Sequence, residues 1–207
     1  MLKNINLTVP GWNGPEILDI ISDYSSRVPT SGNILELGAL FGRTTVTIGN
    51  SKSEDTHLYT IDIWLPITGE HIAEIFKHDE QAGSVERELI KRLMNTVTNK
   101  VSGEDFYLAW KVFTSNIKNL HGFRCLTNTP TNTFPEFDLI IHDAAHDYEH
   151  VYEDLTNWFP KLTPDGVMII DDYEPNWPGV IQAVDQYVSE NNLYTEMVTS
   201  RNILLKR

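Results

Sequence analysis

The sequence predicts an α/β protein with a mostly parallel sheet between layers of helices, and three observations support this class. Short apolar segments alternate with segments of helical periodicity along most of the chain. The apolar runs around 139–141 and 167–170 are continuous, as expected of parallel strands buried on both faces. The run Asn33–Leu37 ends in a glycine turn that opens a helix, which is typical of a parallel βα unit.

The first part of the chain is predicted to contain two helices and two strands. Pro15 lies in the first turn of a helix with an apolar face, and this helix stops before Pro29. The elements that follow are a strand at Asn33–Leu37, a helix from about Gly42 and a strand at Leu58–Asp62.

Residues 63–121 contain no convincing strand, and this stretch is longer than an ordinary βα connection. Apolar spacing predicts one helix over Val85–Val97 and a second over Phe106–Leu120, the latter preceded by a capping box at Ser102–Asp105. The weakly periodic part, 63–83, is either a lid over a site or a surface insertion. We therefore expect a single domain, 1–207, with a helical insertion or lid at about 63–121.

The second half of the chain is predicted to supply the remaining five strands. They are expected at Phe123–Leu126, from Phe137 to Asp143, at Val167–Ile170, at Leu193–Val198 and at Asn202–Leu205. Between them lie a polar loop at 127–135, a helix capped by Asp147, an L-x-P-x-G turn at Leu162–Gly166 and a helix that begins near Pro178.

The composition indicates a soluble domain that does not bind nucleic acid. A chain of 207 residues, 41% of them hydrophobic, suffices for one domain with a sizeable core. Lys and Arg number 16 against 29 Asp and Glu, and the formal net charge of −13 repels a phosphate backbone. The single cysteine, Cys125, fits a reducing compartment, and neither a signal peptide nor a membrane span is recognisable. A cytoplasmic protein is expected, and a homo-oligomer is left open.

The glycine turn after the first strand is the predicted cofactor site. Its pattern is Glu36-x-Gly38-x-x-x-Gly42, and glycine there lets a ligand approach the backbone and the free N–H groups of the next helix. The G-x-G-x-x-G pattern of dinucleotide binding is missing, which disfavours a nicotinamide oxidoreductase. The second strand ends in a carboxylate, Asp62.

This arrangement resembles motif I of the class I S-adenosylmethionine (SAM) methyltransferases. The resemblance implies that the glycine turn approaches the methionine part of SAM, that Glu36 lies near its amino group and that Asp62 holds the ribose hydroxyls. Thr127 and Asp143 complete the predicted cofactor-binding residues. The resemblance also implies a three-layer Rossmann-like fold with strand order 3-2-1-4-5-7-6, in which strand 7 is antiparallel.

Three aspartates lie at the ends of the two central predicted strands. Asp143 closes the fourth strand, and Asp171 and Asp172 close the fifth. Because neighbouring strands are about 4.8 Å apart, these carboxylates can converge, and they repel one another unless a cation neutralises them. Oxygen ligands suit Mg²⁺, Mn²⁺ or Ca²⁺. The alternative is that each aspartate caps its own loop or helix.

The same region is similar to bacterial small-molecule O-methyltransferases, including the macrocin and novobiocin sugar methyltransferases. The similarity rests on the segments Asp143–Glu149, Asp171–Tyr173, Pro178–Val180 and Ala183–Asp185. It implies that Asp143, Asp171 and Asp172 hold Mg²⁺. The relatives have a further acid, their proposed general base, at the position that Ala145 occupies here.

This departure directs attention to His146 as the base. In catechol O-methyltransferases the base is a lysine three residues after the metal ligand of the fourth strand, and His146 has this offset from Asp143. Histidine, with an unperturbed pKa of about 6.5, accepts protons near neutral pH. The alternative is a histidine that only hydrogen-bonds the loop. A zinc site of His142 and His146 is disfavoured, because His142 is expected to face away from Asp143.

The sequence thus predicts transfer of the SAM methyl group to a hydroxyl oxygen of a small polar acceptor, assisted by a divalent ion. His146 and Asp143 are the predicted catalytic residues. A SAM-binding protein without methyl transfer, acting as a sensor or in an interaction, is the alternative.

Overall fold

The computed structural model describes residues 7–9, 11–64, 106–129 and 131–207. The helices of these residues are α1 (Pro15–Arg27), α2 (Arg43–Ser51), α3 (Phe106–Phe113), α4 (Tyr148–Trp158) and α5 (Pro178–Asn191). The strands are β1 (Asn33–Leu37), β2 (His57–Asp62), β3 (Leu120–Arg124), β4 (Phe137–His142), β5 (Leu162–Ile170), β6 (Tyr194–Met197) and β7 (Ile203–Lys206). The predicted helix at 85–97, the capping box at 102–105 and nearly all of the predicted lid lie outside the described residues.

The strands form one sheet with the order β3-β2-β1-β4-β5-β7-β6. The first five strands pair in parallel, and β7 is antiparallel to both β5 and β6. This confirms the predicted sheet order and the antiparallel seventh strand. The carboxyl ends of β1, β2 and β4 therefore meet at one edge of the sheet, where open α/β sheets bind ligands.

Helices cover both faces of the sheet, as the apolar patterns predict. On one face, Val151 of α4 and Val180 of α5 pack with Ile140 of β4. On the other face, Ile17 of α1 and Ile48 of α2 pack with strand residues that include Ile34. The strands are apolar on both sides for this reason, and the three-layer prediction is confirmed. None of the described helices has the length and apolar character needed to cross a membrane.

The third strand differs from its prediction. It runs over Leu120–Arg124 instead of Phe123–Leu126, and α3 ends at Phe113 instead of continuing to Leu120. This strand contains a glycine, Gly122, because the Trp110 ring lies against its backbone. A Cβ atom at this position would lie 2.4 Å from a ring atom. In the sequence this glycine resembles the end of a strand, because the contact with Trp110 is a tertiary one that a local pattern does not show.

The predicted turn at Leu162–Gly166 is part of β5. Phe137 of β4 pairs with Leu162, whereas Leu139 pairs with Val167, so the register shifts and the extra residues of β5 bulge from the ladder. A bulge keeps the chain in the sheet and lets it bend. Proline and glycine therefore mark an irregularity within the strand and not its beginning.

Candidate functional site

The glycine turn between β1 and α2 takes its shape from contacts with the protein. Gly38 has φ of 83°, and a Cβ atom on it would lie 1.9 Å from the backbone oxygen of Asp143. Gly42 has φ of 97°, and its Cβ would lie 2.9 Å from Trp110 Cδ1. The sequence interpretation assigned this freedom to ligand approach. The structure shows that the end of β4 and helix α3 already require both glycines.

Asp62 at the end of β2 organises the same turn. Its Oδ2 accepts hydrogen bonds from the backbone N–H groups of Ala39 (2.7 Å) and Leu40 (2.9 Å). Its Oδ1 accepts one from the N–H of Trp64 at 2.6 Å. A carboxylate offers about four acceptor positions, so Asp62 retains capacity to accept a hydroxyl while it holds the turn.

Glu36 lies beneath the turn and is completely buried. Its Oε2 accepts hydrogen bonds from the hydroxyls of Thr45 (2.7 Å) and Thr60 (2.9 Å), whereas the buried Oε1 has no partner among the described residues. Burial raises the pKa of Glu36 to about 8, although both threonine hydrogen bonds lower it. The fold therefore favours the protonated form of Glu36 near neutral pH.

A residue that the sequence interpretation missed, Asn13, joins the two sides of the site. Its Nδ2 donates to Thr44 Oγ1 (3.0 Å) at the start of α2 and to Asp143 Oδ2 (3.1 Å) after β4. The Arg43 guanidinium donates to the carbonyl oxygens of Val9 (2.8 Å) and Asn13 (3.0 Å), which fastens this N-terminal segment across the turn. No local pattern distinguishes Asn13, because all these contacts are distant in sequence.

Thr127 belongs to a different network from the one predicted. Its hydroxyl donates to Asp154 Oδ2 at 2.9 Å, and the same oxygen lies 3.0 Å from His142 Nε2. Trp158 of α4 donates its indole N–H to the Thr127 carbonyl at 2.8 Å. The Thr127 side chain therefore contacts helix α4, and its role as a cofactor ligand stays a prediction. His142 faces α4, away from the carboxylate of Asp143, as predicted.

The acidic site contains two of the three predicted aspartates. Ligand atoms of Asp143, His146 and Asp172 all lie within 4.8 Å of one another. Asp171 is not in this group, because its Oδ1 accepts hydrogen bonds from the Asp172 backbone N–H and from Asn202 Nδ2, both at 2.7 Å. The structure thus groups His146 with Asp143 and Asp172, and the predicted role of Asp171 as an ion ligand stays a prediction.

His146 is held from two sides. Its Nε2 lies 2.6 Å from Asp172 Oδ2, and its ring stacks on the indole of Trp177 with centroids 4.3 Å apart. In the neutral tautomer protonated at Nε2, this nitrogen donates to the Asp172 carboxylate. Nδ1 is then the nitrogen that can accept a proton. The same position allows two roles, a base oriented by Asp172 or a nitrogen ligand of an ion.

The charges at the site leave room for a divalent cation. Burial raises the pKa of Asp143 well above its usual range, and the charges of Asp171 and Asp172 raise it further. Burial and Asp172 likewise raise the pKa of Asp171. Among the described residues, the site has three carboxylates and one guanidinium, that of Arg201, which contacts Asp171 and Asp172, so full ionisation of the acids would leave two negative charges for a cation to offset. The carboxylates of Asp143 and Asp172 fit Mg²⁺, Mn²⁺ or Ca²⁺, whereas an imidazole ligand is more typical of transition metals.

Comparison with known proteins gives a family match. The model of a family described as a methyltransferase domain matches residues 35–173. This range contains the glycine turn, Asp62 and all of the acidic site except Arg201. A search of the curated proteins finds no significant match.

Solved structures are similar in fold. The O-methyltransferase NovP is 18% identical, with a TM-score of 0.65 over 94% of this chain and 80% of that one. CalS11, a TDP-rhamnose 3'-O-methyltransferase of calicheamicin biosynthesis, is 18% identical, with a TM-score of 0.57 over 92% and 76%. A protein from Clostridium thermocellum proposed to be an rRNA methylase is 10% identical, with a TM-score of 0.56 over 91% and 92%. At such identities these structures establish a common fold.

Proposed function

The chain belongs to the methyltransferase-domain family, and from this premise we propose that it moves the methyl group of SAM to a hydroxyl oxygen of a small polar acceptor. The observation that carries the proposal is the contact between the glycine turn and the acidic site. Gly38 lies directly against the backbone of Asp143, whose carboxylate is grouped with His146 and Asp172. A cofactor at the turn and an acceptor at the acidic site would therefore be neighbours.

The residues of the turn are compatible with SAM. Asp62 already fixes the backbone N–H groups of Ala39 and Leu40 and keeps acceptor capacity for a ribose hydroxyl. The Thr44 hydroxyl at the start of α2 accepts a hydrogen bond from Asn13 and can donate its own hydrogen to a carboxylate there. The buried Oε1 of Glu36 is available for a further hydrogen bond.

His146 is the proton acceptor in this proposal. Asp172 orients the imidazole through Nε2, so that Nδ1 takes the proton of the acceptor hydroxyl. The acceptor oxygen then forms its bond to the methyl carbon as the bond between that carbon and the sulfonium sulfur breaks. Positioned proton transfer of this kind contributes about 10²- to 10⁴-fold in rate.

Asp143 and Asp172 are the residues that would hold a divalent ion. Such an ion supplies Lewis-acid chemistry, lowering the pKa of an acceptor hydroxyl and fixing its oxygen. Support comes from the grouped carboxylates and from the excess of acids over the one described guanidinium at the site.

The acceptor is proposed to be a small molecule. The net charge of −13 disfavours a nucleic acid, although one similar structure is a proposed rRNA methylase. NovP and CalS11, which resemble this chain in fold, are O-methyltransferases. A SAM-binding protein without transfer is the second candidate, favoured by Ala145 at the position of the usual acid and by the guanidinium of Arg201 against the acid pair.

A screen of hydroxylated small molecules tests the proposal. Purified protein, SAM and Mg²⁺ are incubated with sugar nucleotides, catechols and aminoglycosides, and S-adenosylhomocysteine is measured with the mass of the acceptor. We expect acceptor-dependent S-adenosylhomocysteine and an acceptor that gains one methyl group on oxygen. Methylation at nitrogen or carbon would contradict the proposal. SAM binding with no turnover across the panel would favour the second candidate.

A further inference from the structure

The only described arginine at the acidic site comes from the far hairpin of the sheet. Arg201 lies in the turn between β6 and β7, and its guanidinium donates to Asp172 Oδ1 and to Asp171 Oδ1, the latter at 3.3 Å. Glu174 Oε1 is 4.0 Å from its Nε. The arginine side chain is 39% exposed, while those of Asp171 and Asp172 are 7% and 8% exposed. The partly exposed guanidinium of Arg201 thus contacts two nearly buried carboxylates.

The hairpin turn is fastened to the loop after β5 by its backbone as well. The N–H of Tyr173 donates to the carbonyl of Arg201 at 2.9 Å, and Asn202, which is 1% exposed, donates to Asp171 at 2.7 Å. The position of the guanidinium is therefore set by the fold. Oδ1 of Asp171 anchors this contact, since it accepts from Asn202 and from the guanidinium.

The two oxygens of the Asp172 carboxylate have different partners. Oδ1 accepts from the guanidinium, and Oδ2 faces His146. One oxygen of Asp172 is thus committed to a resident cation, and the other is presented to the site. A guanidinium close to the acids also offsets part of their charge, which lets the carboxylates assemble without an ion.

We propose that Arg201 is the positioning residue of the ion site, which it preorganises through Asp172 and whose affinity for a divalent cation it lowers by its charge. The proposal rests on the ion-binding part of the proposed function. A fixed positive charge within a few ångströms of a divalent ion is repulsive even in water. Arg201 therefore keeps ion binding weak.

The test measures Mn²⁺ binding directly, through the electron paramagnetic resonance signal of free Mn²⁺, in full-length protein without SAM or acceptor. Arg201→Gln should bind Mn²⁺ about threefold to tenfold more tightly than wild type, and Arg201→Lys should restore an affinity near that of wild type. The matched control is Arg207→Gln. Arg207 hydrogen-bonds the carbonyls of Leu162 and Pro160 at the opposite end of β5, so this variant removes the same net charge away from the site.

Equal or weaker Mn²⁺ binding by Arg201→Gln, with a circular dichroism spectrum that matches wild type, would overturn the proposal. So would equal tightening in Arg207→Gln, because the effect would then follow net charge. If Arg201→Gln fails to fold, Arg201→Met takes its place, since it also removes the charge and should tighten Mn²⁺ binding by the same factor. Absence of Mn²⁺ binding in every protein would also overturn it. SAM binding, measured by calorimetry on the same samples, reports separately on the cofactor site.

Discussion

Nε2 of His146 lies 2.6 Å from Oδ2 of Asp172, while Oδ1 of that aspartate accepts from Arg201. An imidazole, a carboxylate and a guanidinium thus form one chain of contacts that ends beside Asp143. In such a chain the carboxylate fixes the orientation and tautomer of the histidine, as in the catalytic triads of hydrolases. The arrangement supports a base, and the same imidazole is also near enough to Asp143 to serve as a ligand.

Replacement of His146 separates these two roles. His146→Gln should lower turnover about 10²- to 10⁴-fold, because the proton acceptor is removed, while SAM affinity and Mn²⁺ affinity stay within about threefold of wild type. Turnover is measured in timed assays with an identified acceptor, and the Mn²⁺ affinity is measured in the Mn²⁺ titration. A tenfold or greater loss of Mn²⁺ affinity would identify His146 as a ligand, and full turnover would remove it from the chemistry.

Asp62→Asn should weaken the fold as well as cofactor binding. The amide can present only one acceptor oxygen to the three backbone N–H groups that Asp62 now binds. Loss of such charge-assisted hydrogen bonds costs about 1 to 3 kcal/mol in the free energy of unfolding, measured by urea denaturation without SAM. Asp55→Asn, in the exposed turn before β2, is the control and should change stability little. An Asp62 variant with wild-type stability would contradict the role of Asp62 in the turn.

Gly38→Ala should destabilise the protein whether or not a cofactor is bound. The new Cβ would meet the backbone oxygen of Asp143, and φ of 83° disfavours any side chain. We expect a loss of at least about 2 kcal/mol in the free energy of unfolding. Gly14→Ala is the matched control, because no atom of the described residues lies within 4 Å of its added Cβ. Equal stability of the two variants would contradict the close contact between Gly38 and the backbone of Asp143.

The pKa of Glu36 predicts a pH-dependent stability. The folded-state pKa is about 8 against 4.5 for the free group, so between these values the unfolded chain binds fewer protons and the free energy of unfolding falls as pH rises. The slope from one such group is about 1.4 kcal/mol per pH unit. Glu36→Gln lacks this slope and should be more stable than wild type at pH 8, with the difference shrinking toward pH 5. Urea denaturation at both pH values measures it, and parallel pH profiles would refute the shift.

Local patterns were enough to predict the elements that carry the fold. These patterns depend only on residues that are close in sequence. They are the apolar runs of β1, β4 and β5, the proline that opens α1 and the helix cap at Asp147, which accepts from the His150 N–H at 3.2 Å. The site was predictable to the extent that it lies at strand ends, as Asp143 and Asp172 do.

The remaining features depend on contacts between segments that are distant in sequence. Gly122 is a strand residue because of Trp110, and Thr127 is drawn to α4 by Asp154. Asn13 and Arg201 reach the site from the two ends of the chain, and neither has a neighbouring pattern that marks it. Asp171 was assigned to the ion because of its position, whereas its hydrogen bonds to the hairpin give it a different partner.

Calorimetric titration of the wild-type protein with SAM tests the central claim most directly. If the turn after β1 is a SAM site, one equivalent of SAM binds per chain, S-adenosylhomocysteine competes for the same site and NAD produces no binding heat. Absence of SAM binding by folded protein, or binding of NAD in its place, would contradict the account.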